Sequence, residues 1–288
     1  MTKQSNNKNP KHSKIQLEEN EDLAEFISVI LGDGGIYVPP IYNSYTLTIS
    51  LNGIDEKLYV DYVKRLLYRL LQKYPHEHQR ANEKTTRLTL HNKELINSLI
   101  LKGLVSGDKV KNQVDVPKWI KNCLGFIPRS LKGLFNTDGS VWVHFNHKSI
   151  YLSFRNASYP LVNDFKEMCE RCDIKTQPKI TKFHKINEET REDIYGYQVF
   201  ISSKFYVKKF LKTVKPEKWK DRNRRKYLGT ILILLNNEKS IKDKIFSQIE
   251  RDFPKESDRR YSIEYTNYLS NLCVKHGCVI NNNQLKKL

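Results

Sequence analysis

No stretch of this chain is apolar for long enough to cross a membrane. The best candidate, Ile231-Leu-Ile-Leu-Leu235, falls far short of a spanning helix. Cysteine is scarce, and its count of 5 is odd. That fits a reducing, intracellular setting better than a disulfide framework. The first residues are polar and lysine-rich with no apolar centre, so no secretory signal is expected there. Acid is the other shortage. Against 50 Lys and Arg stand 32 Asp and Glu, leaving +18. An excess of that size predicts attraction to a polyanion rather than to an acidic protein's usual partners. What remains is a chain of 288 residues, enough for one or two domains with a substantial core.

The chain is organised around Leu131-Lys-Gly-Leu-Phe-Asn-Thr-Asp-Gly139. Pro128 suits the first turn of a helix over this stretch. Gly133 and Thr137 share one face and keep it narrow, while Leu131 and Phe135 can bury against a sheet. The helix delivers Asp138 at its C-terminal end, and Gly139 releases the chain into a strand, Ser140-Val-Trp-Val-His-Phe-Asn146. A second copy lies upstream in Phe26-Ile-Ser-Val-Ile-Leu-Gly-Asp-Gly34, where Ala24, Ser28 and Gly32 form the narrow face and Asp33 takes the place of Asp138. Two helices with small-residue faces approach closely, and parallel packing sets the two terminal carboxylates side by side.

Residues 1–19 read as a disordered basic arm. A helix over Asn20 to Asp33 precedes a short strand, Gly35 to Val38, and an alternating strand, Tyr45 to Leu51. In the latter Leu47, Ile49 and Leu51 face the core. A helix with apolar positions from Leu58 to Leu71 follows, then a polar loop from Tyr74 to Glu83. Strand Thr86 to His91 and helix Asn92 to Leu101 close the set. After a connector over Gly103 to Val116 the order repeats: strands Ser140 to Asn146 and Ile150 to Arg155, helix Pro160 to Cys172, strands near Pro178 to His184 and over Tyr195 to Ser202, and helix Phe205 to Leu211. Residues 88–96 align with 199–207, and 49–52 with 152–155. These offsets, 111 and 103, bracket the 105 between Asp33 and Asp138. Beyond Pro216 the pattern is helical, with a charged start from Trp219 to Lys226, an apolar run to Leu235, and Tyr265, Tyr268, Leu269, Leu272 and Cys273 at helical spacing. This tail reads as a cap on the second half or a separate nucleic-acid contact.

The two Asp-Gly motifs resemble those of the LAGLIDADG homing endonucleases in their single-chain, two-motif form, over roughly residues 20–216. The resemblance implies an α+β fold, a duplicated αββαββα unit in two pseudo-symmetric halves with saddle-like antiparallel sheets, here with a C-terminal helical extension. The expected divisions are 1–19, 20–116, 117–216 and 217–288. It also implies a monomer with an internal pseudo-twofold that makes a staggered double-strand cut in a long asymmetric DNA target. In that role Asp33 and Asp138 hold Mg²⁺, for which Mn²⁺ substitutes, because oxygen-liganded Mg²⁺ needs few protein carboxylates. Thr46, Thr48, Ser50, Arg87, Thr89 and His91 of the first half, and Trp142, His144, Tyr151, Ser153, Arg155, Gln198 and Ser202 of the second, line the DNA saddle.

One position departs from the family. Its active members carry a basic residue, often lysine, at the exposed end of the second strand of a half. The aligned residues here are Asn52 and Arg155. Arg155 keeps the charge, though arginine is a poor proton donor, and Lys109 or Lys111 is the candidate to serve in place of Asn52. Non-cleaving alternatives follow from the same scaffold: a DNA- or RNA-binding regulator, or a splicing maturase with intron RNA as partner. Two retained carboxylates facing phosphates argue for the nuclease. Cys169 and Cys172, and the cluster of Cys273, His276 and Cys278, are expected to be free buried or surface thiols rather than a zinc site. Gly35-Ile-Tyr37 and the pair His144 and His147 lack the partners of the nuclease motifs they echo. The chain starts at Met1 and lacks a terminal His-Asn, so no protein-splicing block is expected around it.

Overall fold

A computed structural model of the chain describes residues 16–40, 44–80, 83–144, 149–186, 193–220, 230, 236–253 and 263–278. The first motif forms α1 (Glu21–Asp33). Asn20 caps it, its side chain accepting from the Leu23 N–H at 2.9 Å, with Glu21 and Asp22 in the first turn. From Leu23 to Leu31 every side chain is buried, because α1 packs on a sheet on one side and on the second motif helix on the other. Then come β1 (Gly34–Tyr37), β2 (Thr46–Asn52), α2 (Lys57–Leu71), β3 (His76–Gln79), β4 (Thr85–His91) and α3 (Lys93–Leu101). A short α4 (Lys118–Asn122) bridges to the second unit. That unit runs α5 (Ile127–Asp138), β5 (Gly139–His144), β6 (Ser149–Asn156), α6 (Tyr159–Arg171), β7 (Thr181–Ile186), β8 (Asp193–Ile201) and α7 (Lys204–Val214). A 3₁₀ turn at Lys218–Lys220 precedes α8 (Lys239–Asp252) and α9 (Ile263–Lys275).

The two units build two antiparallel sheets in the same order, β1-β2-β4-β3 and β5-β6-β8-β7. Alternation decides their faces. Leu47, Ile49, Leu51, Leu88 and Leu90 are buried beneath α2 and α3; Ile150, Leu152, Phe154, Val199 and Ile201 are buried beneath α6 and α7. The first core is largely aliphatic. The second uses rings, with Phe154 stacked on Phe165 at 4.4 Å and Phe135 edge-on to Phe210 at 4.9 Å. Both motif helices turn directly into a strand at a glycine. A Cβ on Gly34 would sit 2.7 Å from Ile30 Cα, and one on Gly139 would collide with Phe135.

The structure amends the sequence reading in three places. The stretch taken as a loop, 74–83, contains β3, whose four residues are all exposed. It lacks the apolar alternation that marks a strand because it is an edge strand covered on neither face. The equivalence of 49–52 with 152–155 is out of step: Gly34 pairs with Ile49 and Gly139 with Phe154. Ile49 therefore corresponds to Phe154, and the offset through β2 and β6 is 105, as for the motifs. Leu88 pairs with Ile49 and Val199 with Phe154, which keeps the 111 offset of the later strands. Finally, the expected arm ends earlier than residue 19, since Leu17 is buried in the core. Residues 1–15 and most of 221–235 lie outside the described residues. In the tail, Phe253 packs on Tyr265 and Tyr268, and the Tyr268 hydroxyl donates to Asp252 at 2.6 Å.

Candidate functional site

The helices α1 and α5 cross through their small residues. The hydroxyls of Ser28 and Ser130 meet at 2.7 Å in full burial. A Cβ on Gly133 would lie 2.5 Å from the Glu25 carbonyl, and one on Gly32 would collide with Thr137. Helices this close bring their C-terminal ends together, and with them Asp33 and Asp138. Burial, and then the charge of Asp138, push the Asp33 carboxyl up to about 7. Burial also raises Asp138, opposed by a hydrogen bond from Asn156 Nδ2 at 3.0 Å and by the charges of Lys109 and Lys218. The pair therefore resists being doubly ionised.

Two lysines stand at these helix ends. Lys109 Nζ donates to the carbonyls of Ile30 at 3.2 Å, Leu31 at 3.0 Å and Gly32 at 2.5 Å, the last turn of α1. A cation is favoured there by the orphan carbonyls and the helix dipole. Burial lowers the Lys109 pKa, with both carboxylates opposing. Lys218 Nζ reaches the Thr137 carbonyl of α5 at 3.4 Å and pairs with Glu56 of the first half at 3.0 Å. Of the two lysines suggested from sequence, Lys109 is at the site and Lys111 is exposed. Lys218 was missed, although it follows Glu217 as Lys109 follows Asp108, at an offset of 109 within the span of the duplication. Glu56 and Asn156 were also missed; nothing in their local sequence sets them apart.

An open cleft of about 280 Å³ borders the first-half side of the pair, lined by Asp33, Asn52, Glu56, Lys84, Thr85 and Lys218 among others. Asn52 lies there but is occupied. Its Oδ1 accepts from the Ile54 and Asp55 N–H groups at 3.1 and 2.9 Å, and its Nδ2 donates to Asp55 at 3.0 Å. It closes the turn into α2. Arg155 is not its counterpart: the corrected register matches Arg155 to Ser50 and Asn52 to Ala157. Arg155 is exposed on the open sheet face, its guanidinium 5.8 Å from the Phe183 ring.

The open faces of the two sheets carry most of the other expected residues. Thr46, Thr48 and Thr89 are half-buried, and Ser50 and His91 are exposed; Thr46 Oγ1 and His91 Nδ1 lie 3.0 Å apart. Arg87 shares this face and is bridged to Glu83 at 3.4 Å. Tyr151 and Gln198 are half-buried on the second sheet, and Ser202 follows the end of β8. Ser153 is a correction: it is 2% exposed, and its hydroxyl pairs with Ser140 at 2.7 Å, so it offers no surface. Trp142 and His144 sit on β5 opposite Tyr151 and Ser149, and their side chains lie outside the described residues. The sequence reading missed His76 and His78, which face Thr89 and Arg87 across β3 and β4. It also missed Phe183 and Phe200. Register alone reveals these four, because directly paired residues share a face.

A charged cluster joins the halves further along α1. Glu25, fully buried, is 3.0 Å from Arg129 and 3.9 Å from Lys132, and accepts from the Tyr62 hydroxyl at 2.7 Å. Lys132 also pairs with Glu217 at 2.8 Å, and Arg129 with Asp22. Among the described residues no group of three or more His, Cys, Asp or Glu is arranged to hold a metal ion, and all 5 cysteines are free.

Two αββαββα units, each with a four-stranded antiparallel sheet, joined through close-packed motif helices that end in paired carboxylates, define a pseudo-dimeric α+β scaffold. Residues 127–215 match the family described as LAGLIDADG-like domain. The match covers the second unit, and the first unit repeats that unit element for element. Among curated proteins it is 24% identical over 286 residues to DNA-directed RNA polymerase subunit Rpo1N of Methanocaldococcus jannaschii, covering 89% of this chain and 20% of that one. The chain thus spans about a fifth of the length of that relative. Among solved structures, it is similar to I-DmoI in complex with DNA and Mn (15% identity, TM-score 0.45, 67% of this chain and 96% of that one). It is also similar to the meganuclease I-SmaMI bound to uncleavable DNA (10% identity, TM-score 0.44, 87% and 97%). A third is the N-terminal LAGLIDADG domain of DUF199/WhiA (12% identity, TM-score 0.42, 71% and 83%).

Proposed function

We propose that this chain is a metal-dependent DNA endonuclease that makes a staggered double-strand cut in a long asymmetric site. The observation that carries the reading is the convergence of Asp33 and Asp138 between two open sheet faces in a protein of net charge +18. Two hard oxygen donors that resist joint ionisation suit a divalent cation such as Mg²⁺ or Mn²⁺, whose charge relieves their repulsion. When bound, such a cation acidifies water and stabilises the leaving oxygen of a phosphodiester. The chain's own part is to position. Asn156 fixes the rotamer of Asp138, the 2.7 Å hydroxyl pair of Ser28 and Ser130 fixes the register of the two helices, and Lys109 and Lys218 place positive charge beside the scissile phosphates. The sheets would lie in the major groove, with surface Lys and Arg on phosphates.

A second reading has an observation of its own. Lys109 and Lys218 already place internal cations at the two helix ends, as a protein that binds DNA or RNA without cutting would require. One experiment separates the two. A duplex selected from a random DNA library is incubated with the protein and Mg²⁺ or Mn²⁺, alongside Asp33→Asn/Asp138→Asn. Cutting by the wild type alone supports the nuclease. Tight binding with no cut, unchanged or improved in the double variant, supports the binder.

A further inference from the structure

The two open sheet faces are equivalent in topology but not in chemistry. In the corrected register Tyr151 occupies the place of Thr46, and Phe200 the place of Thr89. The first unit closes its sheet with threonine at both positions, and its core beneath is as fully buried as the second. The fold therefore does not require rings there. In the second unit they come together: Tyr151 and Phe200 meet edge to face at 6.3 Å. Phe183 continues the strip, covering Gly196 so closely that a Cβ there would be 2.5 Å from its ring. All three are half-buried, which leaves ring edges exposed on the open side. The first unit's face instead offers hydroxyls, imidazoles and the Arg87 guanidinium around one exposed ring, Tyr37, at its β1 edge opposite Thr46.

In the major groove, hydroxyl, imidazole and guanidinium groups read donor and acceptor patterns, whereas apolar side chains find one apolar feature, the C5-methyl of thymine. We propose that the second unit reads a thymine-rich half-site through Tyr151, Phe183 and Phe200, while the first unit reads its half-site by hydrogen bonding. This rests on the reading of duplex DNA as the partner, and it names the chemistry of one half of the target.

The test uses the full chain without divalent cation and a random duplex DNA library. Selected duplexes are resynthesised with deoxyuridine replacing thymidine in one half at a time, which removes methyls and keeps base pairing. Affinity should fall about fourfold for each methyl that becomes buried, in one half only. In Tyr151→Thr/Phe200→Thr, which installs the first unit's own residues, the affinity ratio between the thymidine and deoxyuridine duplexes should fall to one while circular dichroism is unchanged. Equal affinity of the wild type for both duplexes overturns the inference and leaves duplex binding standing. So does a deoxyuridine penalty that survives in the double variant. If no duplex sequence is enriched, or the protein prefers a single-stranded pool of the same library through ring stacking, duplex DNA is the wrong partner, and the proposal falls with that reading.

Discussion

A Cβ placed on Gly133 would lie 2.5 Å from the carbonyl oxygen of Glu25 on the facing helix. The obstacle is backbone, which cannot rotate aside. At Gly32 the added Cβ would collide with both Oγ1 and Cβ of Thr137, and rotation of the threonine side chain does not move its Cβ. Alanine gains about 1 kcal/mol of helix propensity over glycine, against overpacking of about 1–3 kcal/mol. Gly133→Ala and Gly32→Ala should therefore each destabilise the protein, by up to about 2 kcal/mol. Urea unfolding of the two variants measures the losses; stability equal to the wild type's would show that the helices separate more easily than their packing implies.

The Asp33 carboxyl carries a sign that can be checked. Its folded pKa is raised from 3.8 to about 7, so between those values the native state binds more protons than the unfolded chain. This residue's contribution must then make the metal-free protein less stable as pH climbs from about 4 to 7. Asp33→Asn removes that slope, and its melting temperature should exceed the wild type's by more at pH 8 than at pH 5. Adding Mn²⁺ at pH 8 should stabilise the wild type and not the variant. A wild-type curve unresponsive to Mn²⁺ would count against a metal at the pair.

Arg129 faces a fully buried Glu25. Arg129→Met leaves that carboxylate without its nearest cation and should cost about 3–5 kcal/mol, as for other broken buried pairs. Glu25→Met combined with Arg129→Met removes the uncompensated charge and should recover much of the loss. A double-mutant cycle in denaturant reads the coupling, and additive losses would mean that Lys132 and Tyr62 suffice for Glu25.

Glu56 reaches Lys218 from the opposite half, while the described partners of Lys109 are all backbone carbonyls. Glu56→Gln should free Lys218 and change cutting of one strand severalfold while leaving the other. With each strand separately end-labelled, equal changes in both would show that Glu56 serves the whole cleft.

Much of this arrangement was readable before the structure. The narrow faces at Ala24, Ser28 and Gly32 and at Gly133 and Thr137 state how the helices meet, because only small side chains allow that approach. The alternation in Thr46 to His91 places core and open face correctly. What the letters did not show depends on register and on reach. A two-residue slip between 49–52 and 152–155 was enough to pair Asn52 with Arg155 wrongly, since isolated strands match equally well at even offsets. β3, exposed on both sides, has no periodicity to read. Lys109 and Lys218 act from loops distant in sequence from the carboxylates they approach, and their long side chains bridge a gap that no local pattern records.

The charges on the motif helices bear on how the chain came to be one chain. α1 carries Asp22 and Glu25, and α5 carries the Arg129 and Lys132 that pair with them. A duplicated unit begins as two identical copies, each able to pair with itself. Here self-pairing is disfavoured: at the 105-residue offset Arg129 and Lys132 correspond to Ala24 and Ile27, so a second copy of α1 would bring no cation to the buried Glu25. The halves are complementary in charge across this seam. Their order of synthesis matters as well, because residues 20–116 leave the ribosome with Glu25 unneutralised and wait for α5 to complete them.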